Sequence, residues 1–139
     1  MRPVGIIDAG PLTALLNPND RCHAWALAAL QRLPMPLLTS EAVLTEAAYL
    51  LASRGGDPDR LFDLAEQGTL AIGIQFEQER TALRSLLRSY RDVPMSLADA
   101  TLVRLSEMHD DCLVFTLDSD FRIYRRNRNK PIPVLMPDA

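Results

Sequence analysis

The chain has little cysteine, no long apolar run and no surplus of positive charge, and each shortage closes off a class of protein. Its two cysteines, Cys22 and Cys112, lie far apart and form no C-x-x-C pair. With no export signal in view, the expectation is two reduced thiols in a cytosolic protein. No apolar stretch approaches the ~20 residues that a membrane helix needs. Only four mostly apolar residues separate Met1-Arg2-Pro3 from Asp8, too few for the core of a secretory signal. A soluble, cytoplasmic protein is therefore expected, with no membrane partner. The G-x-x-x-x-G-K phosphate loop is missing, which argues against an NTPase. Fifteen basic residues against eighteen acidic ones give a net charge of −3. Bulk charge of that sign does not coat nucleic acid or membranes.

What is present suits one compact domain over residues 1–139, since the length is short for two and 47% of the residues are hydrophobic. The charge is unevenly placed. From Phe121 onward Arg122, Arg125, Arg126, Arg128 and Lys130 face a single acid, Asp138, which leaves ten basic against seventeen acidic groups in residues 1–120.

Apolar periodicity and turn residues outline alternating strands and helices. Val4 to Ile7 reads as a buried strand stopped by Asp8-Ala9-Gly10-Pro11. A brief helical turn follows through Leu12, Leu15 and Leu16. A second helix runs to about Leu33 on a stripe of Trp25, Leu27, Leu30 and Leu33. Leu37-Leu38-Thr39 reads as a strand, and Ser40 caps a helix from Glu41 to Arg54 that Gly55-Gly56 ends. Asp57-Pro58 opens a helix to Gln67, stopped by Gly68. Leu70 to Ile74 reads as a strand, and Glu77 to about Arg91 as a helix with Leu83, Leu86, Leu87 and Tyr90 on one face. Ser96 caps a helix to about His109; Leu113 to Leu117 is the clearest strand, and Ile132 to Leu135 the last. Strands separated by helices imply a mainly parallel sheet covered on both faces. In such sheets the functional crevice lies beyond the carboxyl ends of the strands.

Acids sit where that rule points. Asp8 and Asp118 each follow a strand, where a carboxylate serves equally as a turn or cap residue or as part of a shared site. Glu46 is the only charged residue between Glu41 and Arg54. Its neighbours Val43 and Leu50 put it on or beside the buried stripe, where a carboxylate asks for a partner or a metal. Asp99, in Ser96-Leu97-Ala98-Asp99, fits a capping box, and an acid there can also project into a crevice. Four carboxylates meeting without a matching Lys or Arg would repel one another unless a hard cation stood among them. Oxygen donors suit Mg²⁺ or Mn²⁺ rather than zinc, and His23 and His109 are isolated.

Four stretches together resemble the PIN domain family and its VapC-type toxin branch. They are Ile6-Ile7-Asp8-Ala9-Gly10-Pro11-Leu12, Thr39-Ser40-Glu41-Ala42-Val43-Leu44-Thr45-Glu46, Pro94-Met95-Ser96-Leu97-Ala98-Asp99-Ala100 and Phe115-Thr116-Leu117-Asp118-Ser119-Asp120-Phe121. Any one is weak; the ordered set is specific. The resemblance implies a three-layer α/β/α sandwich and a ribonuclease holding one or two Mg²⁺ or Mn²⁺ ions, with products carrying a 5′-phosphate. It assigns the three near-universal acids to Asp8, Glu46 and Asp99. The fourth falls on Asp118, with Asp120 as a nearby contributor and Thr116 as a hydroxyl beside the site. It also implies a homodimer and a small antitoxin lying in the active-site groove. A PIN-like RNA- or protein-binding module without catalysis, and a metal-dependent phosphatase, are the competing readings.

The basic tail then has a possible role, since Arg122, Arg125, Arg126, Arg128 and Lys130 could grip RNA phosphates beside an acidic pocket, although plain solubility explains them equally. Arg80, Arg84 and Arg88 form a second stripe at i, i+4 spacing, for which a solvated helix face is the simpler explanation.

Overall fold

In the computed structural model, which describes residues 3–138, the sheet is built from strands only two to four residues long. Met1, Arg2 and Ala139 lie outside the described residues, and so does the part of the N-terminal signal argument that rests on the first two. Strands β1 (Val4–Ile7), β2 (Leu37–Thr39), β3 (Leu70–Ile72), β4 (Cys112–Phe115) and β7 (Val134–Leu135) form one sheet in the order β3-β2-β1-β4-β7. Every pairing in it is parallel. Among the described residues six helices flank it: α1 (Ala9–Leu16), α2 (His23–Leu30), α3 (Glu41–Ser53), α4 (Arg60–Glu66), α5 (Phe76–Ser89) and α6 (Leu97–Met108). This is the three-layer α/β/α arrangement that the strand and helix pattern implied.

The topology has one reversal. From β1 the chain moves outward to β2 and β3, then crosses back to lay β4 on the other side of β1. The carboxyl ends of β1 and β4 therefore flank the switch point, where a crevice opens because the connections leave in opposite directions. The register sets Ile7 opposite Phe115, so the residues that follow each strand emerge side by side. Because both faces are covered, β1 reads as a continuous apolar run rather than an alternating one. Ile6, Ile7, Val114 and Phe115 are fully buried, with Leu102, Leu105 and Leu12 from the helices around them.

Gly5 leaves β1 room beside β2, since a Cβ there would stand 2.6 Å from a Leu37 methyl and displace it. Gly10 serves the site: its missing side chain lets the first turn of α1 lie against Leu117, which a Cβ would meet at 3.3 Å. Both cysteines are free thiols.

Several boundaries differ from the sequence expectation. Helix α2 ends at Leu30 and buries Ala26 and Ala29, while Leu27 is 44% exposed. The small residues face the core because the helix packs closely there, and Leu33 is buried beyond the helix end. Asp57 does not cap a helix at Pro58; its carboxylate accepts from the Asp59 N–H in a turn, and α4 begins at Arg60. The C-terminal segment adds an unforeseen antiparallel hairpin, β5 (Arg125–Arg126) with β6 (Lys130–Pro131). Its turn carries Asn127 and Arg128 at positive φ, which no glycine signalled. Among the described residues no helix is long and apolar enough to cross a membrane.

Candidate active site

Asp8 leaves the end of β1 and caps α1. One carboxylate oxygen accepts from the Ala9 N–H at 2.7 Å, and the other from the Thr116 hydroxyl at 2.7 Å. The Thr116 oxygen in turn accepts from the Asp118 N–H at 3.0 Å. One buried hydroxyl thus ties the loop after β4 to the acid after β1 across the switch point. Asp118 follows β4 by three residues rather than one, because the strand ends at Phe115. It caps a short 3-10 turn by accepting from the Asp120 N–H at 2.9 Å.

Asp99 lies in the first turn of α6. The capping box is complete: the Ser96 hydroxyl accepts from the Asp99 N–H, and an Asp99 carboxylate oxygen accepts from the Ser96 N–H, both at 3.0 Å. The Tyr124 hydroxyl, with its single proton, lies within hydrogen-bond reach of that same oxygen at 3.2 Å and of the Pro94 carbonyl. The cap therefore leaves Asp99 open to a contact outside its own helix.

Glu46 is more exposed than its apolar surroundings suggested. The core stripe of α3 is Val43, Ala47 and Leu51, and Glu46 stands one residue, about 100° around the helix, from Ala47. Helix α3 is anchored at its start by the Ser40 hydroxyl, which shares a 2.8 Å hydrogen bond with Thr101 on α6. This link sets Glu46 relative to Asp99.

Asp8 and Glu46 each lie in the field of neighbouring acids. Burial is the main reason that the Asp8 carboxyl is pushed up from 3.8 to about 6; Thr116 and Ala9 oppose the shift, and the charges of Asp99 and Glu46 add to it. Glu46 is also raised, by burial first and then by Asp99 and Asp118. Asp120 and Asp118 both act on Tyr124, after Asp99. Among the described residues none of the four pairs with an Arg or Lys at ion-pair distance. An all-oxygen, uncompensated donor set fits a hard divalent cation chemically. In geometry the fit is incomplete, since among the described residues no three Asp, Glu, His or Cys side chains stand as a ligand cluster.

Nothing in the sequence pattern singled out Tyr124. It is fully buried in the basic segment, edge-on to Tyr90 at 5.3 Å and to Phe121 at 5.2 Å between ring centroids. Burial and the nearby Asp99 raise its hydroxyl pKa, so it remains a donor at neutral pH. The only available signal was its i+3 spacing from Phe121, which marks a shared apolar face and no more.

The basic tail divides. The Arg126 guanidinium reaches the end of α6, donating to the carbonyls of Ser106, His109 and Asp110 at 2.8, 3.3 and 3.1 Å. A cation there satisfies carbonyls that the helix leaves unpaired. The Arg126 guanidinium is thus engaged in holding the end of α6. Arg122, Arg128 and Lys130 are exposed, and Arg125 is half-buried, bonded to the Arg122 and Tyr124 carbonyls.

A family model for the PIN domain matches residues 6–127, so the chain belongs to the PIN domain family. Among solved structures it is similar to a Mycobacterium tuberculosis toxin, VapC20, described as cleaving the Sarcin-Ricin loop. The TM-score is 0.71 and the identity 23%, over 91% of this chain and 98% of that one. No curated protein matches the chain.

Proposed function

We propose that this protein is a Mg²⁺- or Mn²⁺-dependent endoribonuclease and the toxin of a type II toxin-antitoxin pair. The observation that carries the reading is that acids from four separate segments bear on one another, Asp99 and Glu46 on Asp8 and Asp99 and Asp118 on Glu46, while among the described residues no cation pairs with any of the four. Kinship to the PIN family and likeness to VapC20 support it.

In this reading Asp8, Asp99 and Asp118 hold the ion, directly or through water, with Asp120 as an auxiliary. When bound, the ion lowers the pKa of water and offsets charge on the phosphodiester. Glu46, exposed at the edge of α3, either ligates as well or orients the attacking water. Thr116 fixes the Asp8 carboxylate from behind, and Tyr124 does the same for Asp99. Arg122, Arg125, Arg128 and Lys130 approach phosphates, where arginine offers a planar pair of donors. A homodimer, a small antitoxin and a cytoplasmic location complete the proposal.

The test is degradation of single-stranded RNA by purified protein with Mg²⁺ or Mn²⁺. Cleavage should stop on adding chelator and in Asp99→Asn, whose amide oxygen can still cap Ser96 and keep α6 folded. An active Asp99→Asn would remove that residue from the set. A folded wild type that never cuts would favour a PIN-like binding module without catalysis.

A further inference from the structure

Helix α5 carries more cationic surface than its own stability requires. One side is locked to α6 through Leu83, which is buried, and through Glu79, which accepts from Arg104 at 2.7 Å. Beside this contact lies a groove of about 1200 Å³, lined by α5 residues including Leu83 and by Leu97 of α6. Arg80, Arg84 and Arg88 follow one another along it, ~6 Å apart on the helix axis, and Arg91 continues the line. Arg80 pairs with Glu77 at 3.6 Å, but among the described residues no carboxylate pairs with Arg84, Arg88 or Arg91.

The groove runs between two apolar landmarks. Phe76, at the start of α5, is 55% exposed. Leu97, 42% exposed, is the first residue of α6 and stands two positions before Asp99. A second crevice of about 420 Å³ shares Ser85 and Ser89 with the groove, so the two meet over α5. Arg125, Arg128 and Glu107 line it, the last holding the Asn127 N–H and Arg104. Its floor includes Tyr90, whose hydroxyl accepts from the Arg125 N–H at 2.8 Å and whose ring packs on Tyr124, the donor to Asp99. The groove thus reaches Leu97, two residues before Asp99, and the crevice is joined to Asp99 through the Tyr90–Tyr124 ring contact.

Single-stranded nucleic acid is held by a cationic groove that follows its backbone and by aromatic faces that accept stacked bases. Residues 1–120 carry a net negative charge, so a polyanion reaches the acids only where cations stand in file. We propose that the α5 groove and the adjoining crevice form the phosphate track along which single-stranded RNA reaches the acidic site. The inference rests on the ribonuclease reading and adds a path to it. The file of arginines leading to Asp99 favours RNA over an acidic peptide, which has no reason to end at a cluster of carboxylates.

The experiment uses Arg84→Gln/Arg88→Gln, with Arg21→Gln/Arg60→Gln as a control that removes the same charge from exposed residues lining neither depression. Binding of a long single-stranded RNA is followed by anisotropy in chelator across a salt series. Loss of two phosphate contacts should flatten the plot of log K against log salt by about 1.4, at ~0.7 per contact. The control should keep the wild-type slope. In cleavage assays KM for the long RNA should rise in the α5 variant, and the defect should vanish on a dinucleotide too short to reach α5. An unchanged slope and KM overturn the track while leaving the nuclease reading intact. Wild-type protein that cuts neither RNA ends the nuclease reading and the track with it. If the α5 variant handles RNA normally but loses an acidic protein partner, the groove serves that partner and the RNA assignment falls.

Discussion

Replacing Asp8 by Asn should make the metal-free protein more stable at neutral pH, and the size of the gain follows from where Asp8 sits. Its carboxyl holds a proton up to about 6 in the fold against 3.8 ordinarily. A carboxyl raised on folding contributes stability that is complete below its ordinary value and is lost as the pH climbs through the raised one. A shift of roughly two units corresponds to about 3 kcal/mol. Asp8 is 6% exposed, so solvent screening takes little from that figure. Asn has no such proton. Between pH 3.8 and about 6, the unfolding free energy of Asp8→Asn relative to wild type should therefore swing by that amount in favour of the variant. The amide retains an acceptor for the Ala9 N–H but disturbs the bond from Thr116. This loss, about 1–2 kcal/mol, offsets the difference at every pH without altering the swing. Urea denaturation in chelator at several pH values measures it, and thermal melts should show a change of about 10 °C for a chain of this size. Adding Mg²⁺ at a hundredfold over its Kd should restore about 2.7 kcal/mol to the wild type alone. Parallel stability curves for the two proteins would refute the argument, because they would mean that Asp8 ionises in the fold as easily as in the open chain.

Two further outcomes follow from the contacts. Arg126→Ala should lower stability by about 2 kcal/mol, since it strips the end of α6 of a half-buried cationic cap, yet leave the salt dependence of RNA binding unchanged. Urea titration and anisotropy check the two halves separately. Tyr124→Phe keeps the ring packing and removes one donor, so stability should fall by only about 1 kcal/mol. Asp99 would lose a contact that holds its oxygen, and the metal concentration needed for half-maximal cleavage should rise while the folded near-UV spectrum persists.

How much was legible in the chain depended on whether the signal was local. Ser40 and Ser96 announce helix starts because a cap acts within three residues, and both cap as expected. Gly55 and Gly68 take the positive φ that ends α3 and α4. The acids after β1 and in the first turn of α6 could be singled out for the same reason. Arg126 and Tyr124 could not. Each stands in a run whose composition suggests a charged surface, and each is claimed by a partner at least fourteen residues away. Leu27 misled in the opposite direction, since a leucine in an apolar stripe faces solvent when smaller neighbours pack closer.

The amino-acid order by itself determined the alternation of strands and helices, their caps, and the placement of single carboxylates just past the apolar runs, all consequences of forces acting over a few residues. The tertiary structure alone decided that β4 returns beside β1. This crossing brings Thr116 to Asp8, sets the carboxylates within one another's field, and draws Arg126 away to α6. Those outcomes depend on how the chain closes on itself, because charge coupling and burial are properties of distance in space.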